Sequence, residues 1–397
     1  MAESEFPAFW DAVAESLGTP PPPGEREAVR PLVEPGRTLA AFDGRRIIGT
    51  ALAHGLEMSV PGGMLPVAGV GRVGVLPSHR RRGVLRSLMR RQLADLRERG
   101  ESLAALFASE AGIYGRYGYG CAGYDQAFEI HRGESAFVRG APTDGRLRLT
   151  LTGPDEVWPR LAQVYDAKIA DRPGQFARDG AWWNLRLFHP SQDALRCVIA
   201  EDPARARGYA LYSVRPGLDR DGIPDNRITL VELTALDPPA HALLWRHLLD
   251  LDLVASLVAP RRPSDDPLRH LLQDPRRLRA RFADGLWVRP VDLGRALSAR
   301  AYAADVDLVM EVHDPMCAWN SGRWHLAASA GRGRCERTLR PADVALPVQV
   351  IGAAYLGGVS VTAQARAGLV RELTPGSVTA LSRALAWDPA PWCPMAF

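Results

Sequence analysis

The sequence predicts an α/β chain, α+β in its wider organisation, built as three successive mixed units over residues 1–146, 147–290 and 291–397. Three observations carry this. A chain of 397 residues exceeds what one hydrophobic core usually serves, so two to four domains are expected. The run Val73–Arg99 reads as a strand, a turn and the start of a helix. An order of strand, helix, strands and helix then recurs from Leu147 onward, and alternating strands and helices resume after Val291.

In the first unit, Phe6–Leu17 has the spacing of a short amphipathic helix, and Pro20–Gly24 is a stiff break. Arg37–Ala53 is predicted as a hairpin around Asp43-Gly44, and Val60–Leu76 continues the sheet. Val73 and Val75 favour a strand and Pro77-Ser78 marks a turn. Val84, Leu85, Leu88, Met89, Leu93 and Leu96 then recur at helical spacing until Gly100 stops them. Leu103–Ala108 is an apolar run suited to a buried strand, and the Tyr- and Gly-rich segment Ser109–Gly120 follows it. Polar Arg132–Arg146 suits the exit from this unit. The second unit opens on the alternating strand Leu147–Thr152. It continues with a helix over Val157–Ile169, strands over Gly208–Val214 and Ile228–Ala235, and a helix over Ala240–Leu251. Trp182, Trp183 and Trp245 are read as core or interface aromatics. In the third unit, strands over Ala304–Val312 and Arg323–Ala328 alternate with helices over Pro341–Leu346 and Ser377–Ala386.

Arg80-Arg81-Arg82-Gly83 stands where the first long helix begins. A glycine there lets the backbone approach an anion, and the free N–H groups of the first turn, at the positive end of the helix dipole, can hold a pyrophosphate. An arginine cluster before a helix is otherwise a solvated face. The hexad Arg80–Leu85 resembles the acetyl-CoA signature of the GNAT superfamily of N-acetyltransferases, Gln/Arg-x-x-Gly-x-Gly/Ala, with Leu85 departing at the last position. Two longer phrases, Pro77–Arg86 and Ala108–Gly120, are similar to those of the "enhanced intracellular survival" (Eis) acetyltransferases of mycobacteria and their actinobacterial relatives. His241–Arg246, Asp266–Leu272, Asp284–Arg289 and Tyr355–Gly358 extend the resemblance over nearly the whole chain.

That resemblance implies tandem GNAT-like folds, the second degenerate, followed by a sterol-carrier-like domain. Asp237-Pro238-Pro239-Ala240-His241 stands in the second unit where the Arg-x-x-Gly turn stands in the first. The implied activity is acetyl-CoA-dependent N-acetylation, without a metal, of a small amine such as an aminoglycoside or another amine-bearing natural product, by a homohexamer. An N-acyltransferase using a larger acyl-CoA or a protein lysine, and a CoA-responsive binding protein without turnover, are the competing readings. Val73 and Val75 would meet the thioester and pantetheine through their backbone. The amides of Arg81, Arg82, Gly83, Val84, Leu85 and Arg86 would hold the pyrophosphate, with the Arg80 and Arg81 side chains nearby, and Ser109 matches a cofactor contact. Tyr114 matches the family's general acid; a phenol, of pKa ~10, protonates a thiolate only when the leaving group is close and poorly solvated. Phe397 matches the terminal phenylalanine whose carboxylate serves as base, and the apolar tail Trp392–Phe397 is read as docked. Ala396 stands where mycobacterial members carry an acid that helps bind polycations, and Thr19–Val29 lacks the Asp and Trp of their pocket. Glu25 and Glu27 either replace those groups or are solvated.

At 46% hydrophobic and 24% charged residues the composition is that of an ordinary globular protein. The start, MAESEFPAFWDAV, carries acids where a secretory signal needs cations, and no apolar run approaches spanning length, so a cytoplasmic protein without a membrane partner is expected. Five scattered cysteines without a Cys-x-x-Cys pair suggest neither a disulfide frame nor a zinc site. Between Arg72 and Arg99 nine arginines face only Asp95 and Glu98, a local +7; the whole chain carries +4, which leaves −3 for the remainder. Such a concentration suits a triply anionic 3′-phospho-ADP group, and a mildly acidic remainder suits an amine. No aromatic residue interleaves these arginines, so nucleic acid is not an expected partner. His54 and His79 are read as ordinary polar residues.

Overall fold

A computed structural model describes residues 3–18, 21–188 and 195–397. Thr19 and Pro20 of the proline-rich stretch lie outside them. The first strands are β1 (Thr38–Asp43), β2 (Arg46–Val60), β3 (Gly63–Val75), β4 (Leu103–Phe107) and β5 (Gly120–Cys121). Then come β6 (Tyr124–His131), β7 (Arg148–Thr152), β8 (Arg196–Glu201), β9 (Ala206–Arg215), β10 (Asn226–Ala235), β11 (Val254–Pro263) and β12 (Arg281–Asp284). The last are β13 (Leu286–Pro290), β14 (Val306–His313), β15 (Gly322–Ser329), β16 (Arg332–Arg337), β17 (Val344–Pro347) and β18 (Arg371–Glu372). They form three sheets, ordered β1-β2-β3-β4-β13-β5, β12-β6-β11-β10-β9-β8-β7 and β16-β15-β14-β17-β18. The first two sheets each contain a parallel pair joined by a helix: Val84–Glu98 joins β3 to β4, and Pro238–Leu249 joins β10 to β11.

Strand membership does not follow the linear order of the chain. β6 leaves the first sheet to pair with β11 and β12 of the second, and β13 returns to pair with β4 and β5 of the first. The two crossings meet at Gly123 and Gly285, where the Gly285 N–H donates to the Gly123 carbonyl at 2.9 Å. A Cβ on Gly285 would lie 3.0 Å from that oxygen, so the close approach requires glycine. The chain therefore quits the first sheet at Gly123, ahead of the Arg132–Arg146 exit expected from composition, because Phe128 and Ile130 of β6 belong to the second core.

The helix Val84–Glu98 lays Leu88, Met89, Leu93 and Leu96 on the small side chains Ala51, Ala53, Ala68 and Val70. Each buried leucine or methionine there contributes roughly 1.5–3 kcal/mol. On the opposite face of the sheet, Met58, Val67, Leu103 and Val288 merge with the third unit's core at Leu308, Met310 and Ile351. One predicted element is corrected. Pro341–Leu346 is not a helix: Val344–Pro347 is a strand parallel to β14, with Val344 and Leu346 buried opposite Met310 and Val312, and the helix starts only at Val348. Four residues are too few for the sequence to show their alternation. Among the described residues no helix is long and apolar enough to cross a membrane, and no cluster of His, Cys, Asp or Glu suits a metal ion.

β13 also carries the tie between the first and third units. Arg289 donates to both oxygens of Asp314 at 2.8 Å, and both side chains are fully buried. The same guanidinium donates to the Tyr117 carbonyl at 2.8 Å, and Asn320 donates to Asp314 at 3.0 Å. Removing one partner leaves a buried charge uncompensated, so Arg289→Leu is expected to cost ~3–5 kcal/mol. Chemical denaturation should show a lowered midpoint; an unchanged one would contradict the role given to this pair.

Candidate functional site

β3 and β4 pair only at Ala68 with Ala104 and Gly69 with Ala105, after which β3 runs on to Val75 alone on that side. On its other side a bulge interrupts the pairing with β2 between Thr50 and Leu52. Arg72 sits in the bulge with a left-handed φ of 50°, its carbonyl accepting from the Thr50 hydroxyl at 2.9 Å. The bulge divides the site. Val73, Gly74 and Val75 line one cavity, of about 760 Å³, and Arg72 lines another, of about 280 Å³.

The larger cavity gathers most of the residues singled out in the sequence: Val73, Val75, Arg80, Arg81, Gly83, Val84, Leu85, Arg86, Ser109 and Tyr114. Arg82 is not in its lining. Arg81 and Gly83 adopt left-handed conformations, φ 62° and 87°, and so turn the chain into the helix Val84–Glu98. Gly83 caps that helix without a side chain, leaving the first-turn amides without a side-chain acceptor. A Cβ on Gly83 would meet nothing within 4 Å; the backbone angle, not crowding, calls for glycine. Arg80 braces the arch by donating to the Val75 carbonyl at 3.3 Å and the Ser16 carbonyl at 2.9 Å. Tyr114 ends the short helix Ala111–Tyr114, is buried, and meets Tyr119 edge-on at 5.9 Å. Burial pushes its pKa up, with Tyr117 and Glu110 adding to the shift, so the phenol keeps its proton through the neutral range.

Phe397 belongs to the smaller cavity, with Glu25, His54, Arg72, Trp182 and Arg186. Its ring meets Phe107 edge-on at 5.5 Å and Phe176 at 5.1 Å. Its carboxyl group rests on β3, where a Cβ at Gly71 would lie 3.3 Å from the Phe397 oxygen and one at Gly69 3.1 Å from the ring. Gly69 and Gly71 thus make the room that seats the terminus. Sequence reasoning missed both, although glycine at alternate positions of a strand is itself a sign of close approach. The tail is held on the way in: Trp392 N–H donates to the Pro173 carbonyl at 3.0 Å, and Ala390 N–H to Asp265 at 2.9 Å. Trp392, Cys393 and Met395 are buried.

His54, read as an ordinary polar residue, is part of this cavity wall. Its Nδ1 lies 2.8 Å from the Leu32 carbonyl, which can only accept, so Nδ1 carries the proton and Nε2 a lone pair. Burial drives its pKa down to about 4, keeping it neutral at physiological pH. Of the two acids considered for the pocket, Glu25 lines it, 3.1 Å from Arg72, whereas Glu27 pairs with Arg26 in solvent. Arg72, counted in the sequence with the helix arginines, is therefore separate from them. Trp182 lines the cavity, while Trp183 and Trp245 are core residues as expected.

In the second unit the matching turn is closed. The Asp237 carboxylate caps the helix Pro238–Leu249 by accepting from Ala240 N–H at 3.0 Å, and pairs with Arg207 at 2.6 Å. Pro238 and Pro239 have no N–H to offer. An anion is already in place there, supplied by the chain.

Comparisons with known proteins agree with this fold. Residues 1–122 and 174–290 match two families, each described as an acetyltransferase (GNAT) domain, and residues 293–394 match the sterol carrier protein domain. An uncharacterized N-acetyltransferase of Streptomyces avermitilis is 42% identical over 379 residues, covering 94% of this chain and 92% of its own. The N-acetyltransferase Eis of Mycobacterium tuberculosis is 33% identical over 404 residues, covering 97% of this chain and 96% of its own. The crystal structure of Eis1 from Mycobacterium abscessus superposes with a TM-score of 0.85 at 34% identity, covering 100% of this chain and 98% of its own. Two GNAT folds and a sterol-carrier fold in one chain, with relatives of that name along its whole length, place it: the protein belongs to the Eis family of GNAT N-acetyltransferases.

Proposed function

We propose that the protein transfers the acetyl group of acetyl-CoA directly to the amine of a small molecule, with the larger cavity for the cofactor and the smaller for the acceptor. The observation that carries this reading is the seating of the terminal carboxylate on Gly71, two residues from Val73 of the cofactor cavity. In this reading residues 1–146 form the catalytic unit, 147–290 a unit that has lost cofactor binding, and 291–397 the unit that supplies the base.

The lining residues suit acetyl-CoA. The uncapped turn at Gly83 offers its amides to a pyrophosphate, and the free edge of β3 at Val73 and Val75 offers a strand-like partner to pantetheine. Arg80, Arg81 and Arg86 add charge, Arg82 contributes its backbone amide alone, and Ser109 flanks the same cavity. When bound, acetyl-CoA supplies an activated thioester. The Phe397 carboxylate takes the ammonium proton of the acceptor, directly or through water; its ordinary pKa near ~3.5 makes it a weak base, so position does most of the work. The neutral amine then bonds to the thioester carbonyl carbon as the C–S bond breaks, and Tyr114 gives its proton to the departing thiolate; the second proton of the nitrogen restores Tyr114 and the proton on Phe397 passes to water, so each turnover releases one proton.

Release of thiol from acetyl-CoA with a panel of amines tests the reaction. Three variants test its parts. Gly83→Val forces a β-branched residue into a left-handed conformation and reshapes the cradle, so calorimetry should show acetyl-CoA affinity falling about fivefold or more, for roughly 1–3 kcal/mol of strain; unchanged affinity in a folded variant excludes this cradle. Tyr114→Phe should keep acetyl-CoA affinity and lower kcat ~100-fold, and a full kcat across pH would move the acid elsewhere. Amidating Phe397, or extending the chain beyond it, should abolish acetylation while acetyl-CoA still binds; a wild-type rate would reduce the tail to packing.

A further inference from the structure

The smaller cavity has a charge pattern of its own. Glu232 is a fully buried carboxylate that accepts from both ends of the Arg178 guanidinium, at 3.0 and 2.9 Å, from Arg186 Nε at 3.2 Å and from the Tyr209 hydroxyl. One carboxylate therefore serves two guanidinium groups. Arg178 is fully buried, while Arg186 reaches the cavity with its side chain 19% exposed. The one other acceptor for Arg186 among the described residues is the Val231 carbonyl, at 2.8 Å. The Phe397 carboxylate lines the same cavity and is its opposite charge, and among the described residues no ion pair joins it to Arg186. Arg72 is matched by Glu25, and His54 is neutral. Burial and the like charge of Arg178 both press against the charge on Arg186. A monoanion arriving beside Arg186 would balance the cluster.

We infer that Arg186 is a specificity residue that receives a carboxylate on the acceptor, so that the acceptor is an amino acid-like or aminoalkyl-carboxylate molecule and not a polycation. This deepens the proposed acetyl transfer and rests on that reading. The cavity then has two poles. The Phe397 carboxylate takes the ammonium end and Arg186 the carboxylate end of a cavity that Trp182, His54 and Leu185 also line. Among the described residues the lining carries the Arg186 charge at one pole and the Phe397 carboxylate at the other, which matches a zwitterion. A volume of about 280 Å³ fits a small molecule, just below the ~300–1,000 Å³ typical of ligand pockets. Ala396, which also lines the cavity, adds no charge.

The test compares 4-(aminomethyl)benzoate with benzylamine, which differ only in the carboxylate, by thiol release from acetyl-CoA. The expected kcat/KM ratio favours the carboxylate by about tenfold or more, the usual weight of a charge-assisted hydrogen bond. Arg186→Met should erase that ratio and Arg186→Lys should keep part of it; Glu232 retains Arg178 in both. Equal use of the two amines, a preference for kanamycin over both, or a ratio that survives Arg186→Met would overturn the inference while leaving acetyl transfer intact. If neither amine releases thiol, the proposed acetyl transfer to small amines of this kind fails separately. Calorimetry in the presence of CoA then decides the cavity's preference: tighter binding of 4-(aminomethyl)benzoate supports it, and equal binding refutes it.

Discussion

Where the chain crosses from the first sheet to the second and back, Gly123 and Gly285 lie against each other, and the site depends on that crossing. The returning strand β13 fills the place beside β4, which leaves β3 free to diverge on its other side. It also delivers Arg289, whose guanidinium holds the Tyr117 carbonyl at one end and Asp314 of the third unit at the other. The turn that bears Tyr114 is therefore braced by a residue 172 positions later than Tyr117. Such a buried pair survives desolvation only when its other hydrogen-bonding positions are filled, and the Pro290 carbonyl, Asn320 and the Cys317 amide fill them.

The same fold element has been given opposite fates in the two GNAT units. In each, a strand leads through a turn into a helix and on to a parallel strand. With Gly83 at the cap, the first-turn amides stay open to a ligand; with Asp237 there, a carboxylate from the chain occupies the place, and two prolines remove donors as well. One side chain decides whether a helix start binds an external anion or satisfies itself.

Arginine serves three distinct purposes here. Arg289, Arg178 and Arg300 are buried scaffolding: the first two pair with carboxylates, and Arg300 donates to the Leu385 and Ala301 carbonyls. A planar fork with five donors suits such work better than the point charge of a lysine. Arg80, Arg81 and Arg86 line the larger cavity, and Arg72 and Arg186 line the smaller one. Net charge along the sequence mixes these classes together.

By itself the sequence determined the elements whose pattern is local. The helices Phe6–Leu17 and Val84–Glu98 lie where spacing and glycine stops placed them, and the run around Arg80–Gly83 is a turn opening a helix. Local steric and hydrogen-bonding preferences act within a few residues, so they leave a local trace. Three features had no such trace: the exchange of β6 and β13, the short strand β17, and the balance of two arginines against Glu232, while Gly69 and Gly71 mark a close approach without showing what approaches. The resemblance to Eis proteins pointed to Phe397, yet only the folded chain brings it onto a strand more than three hundred residues earlier. Each of these depends on which distant segments meet, and that is settled by strand pairing and close packing across the whole chain, where the tertiary structure alone decides.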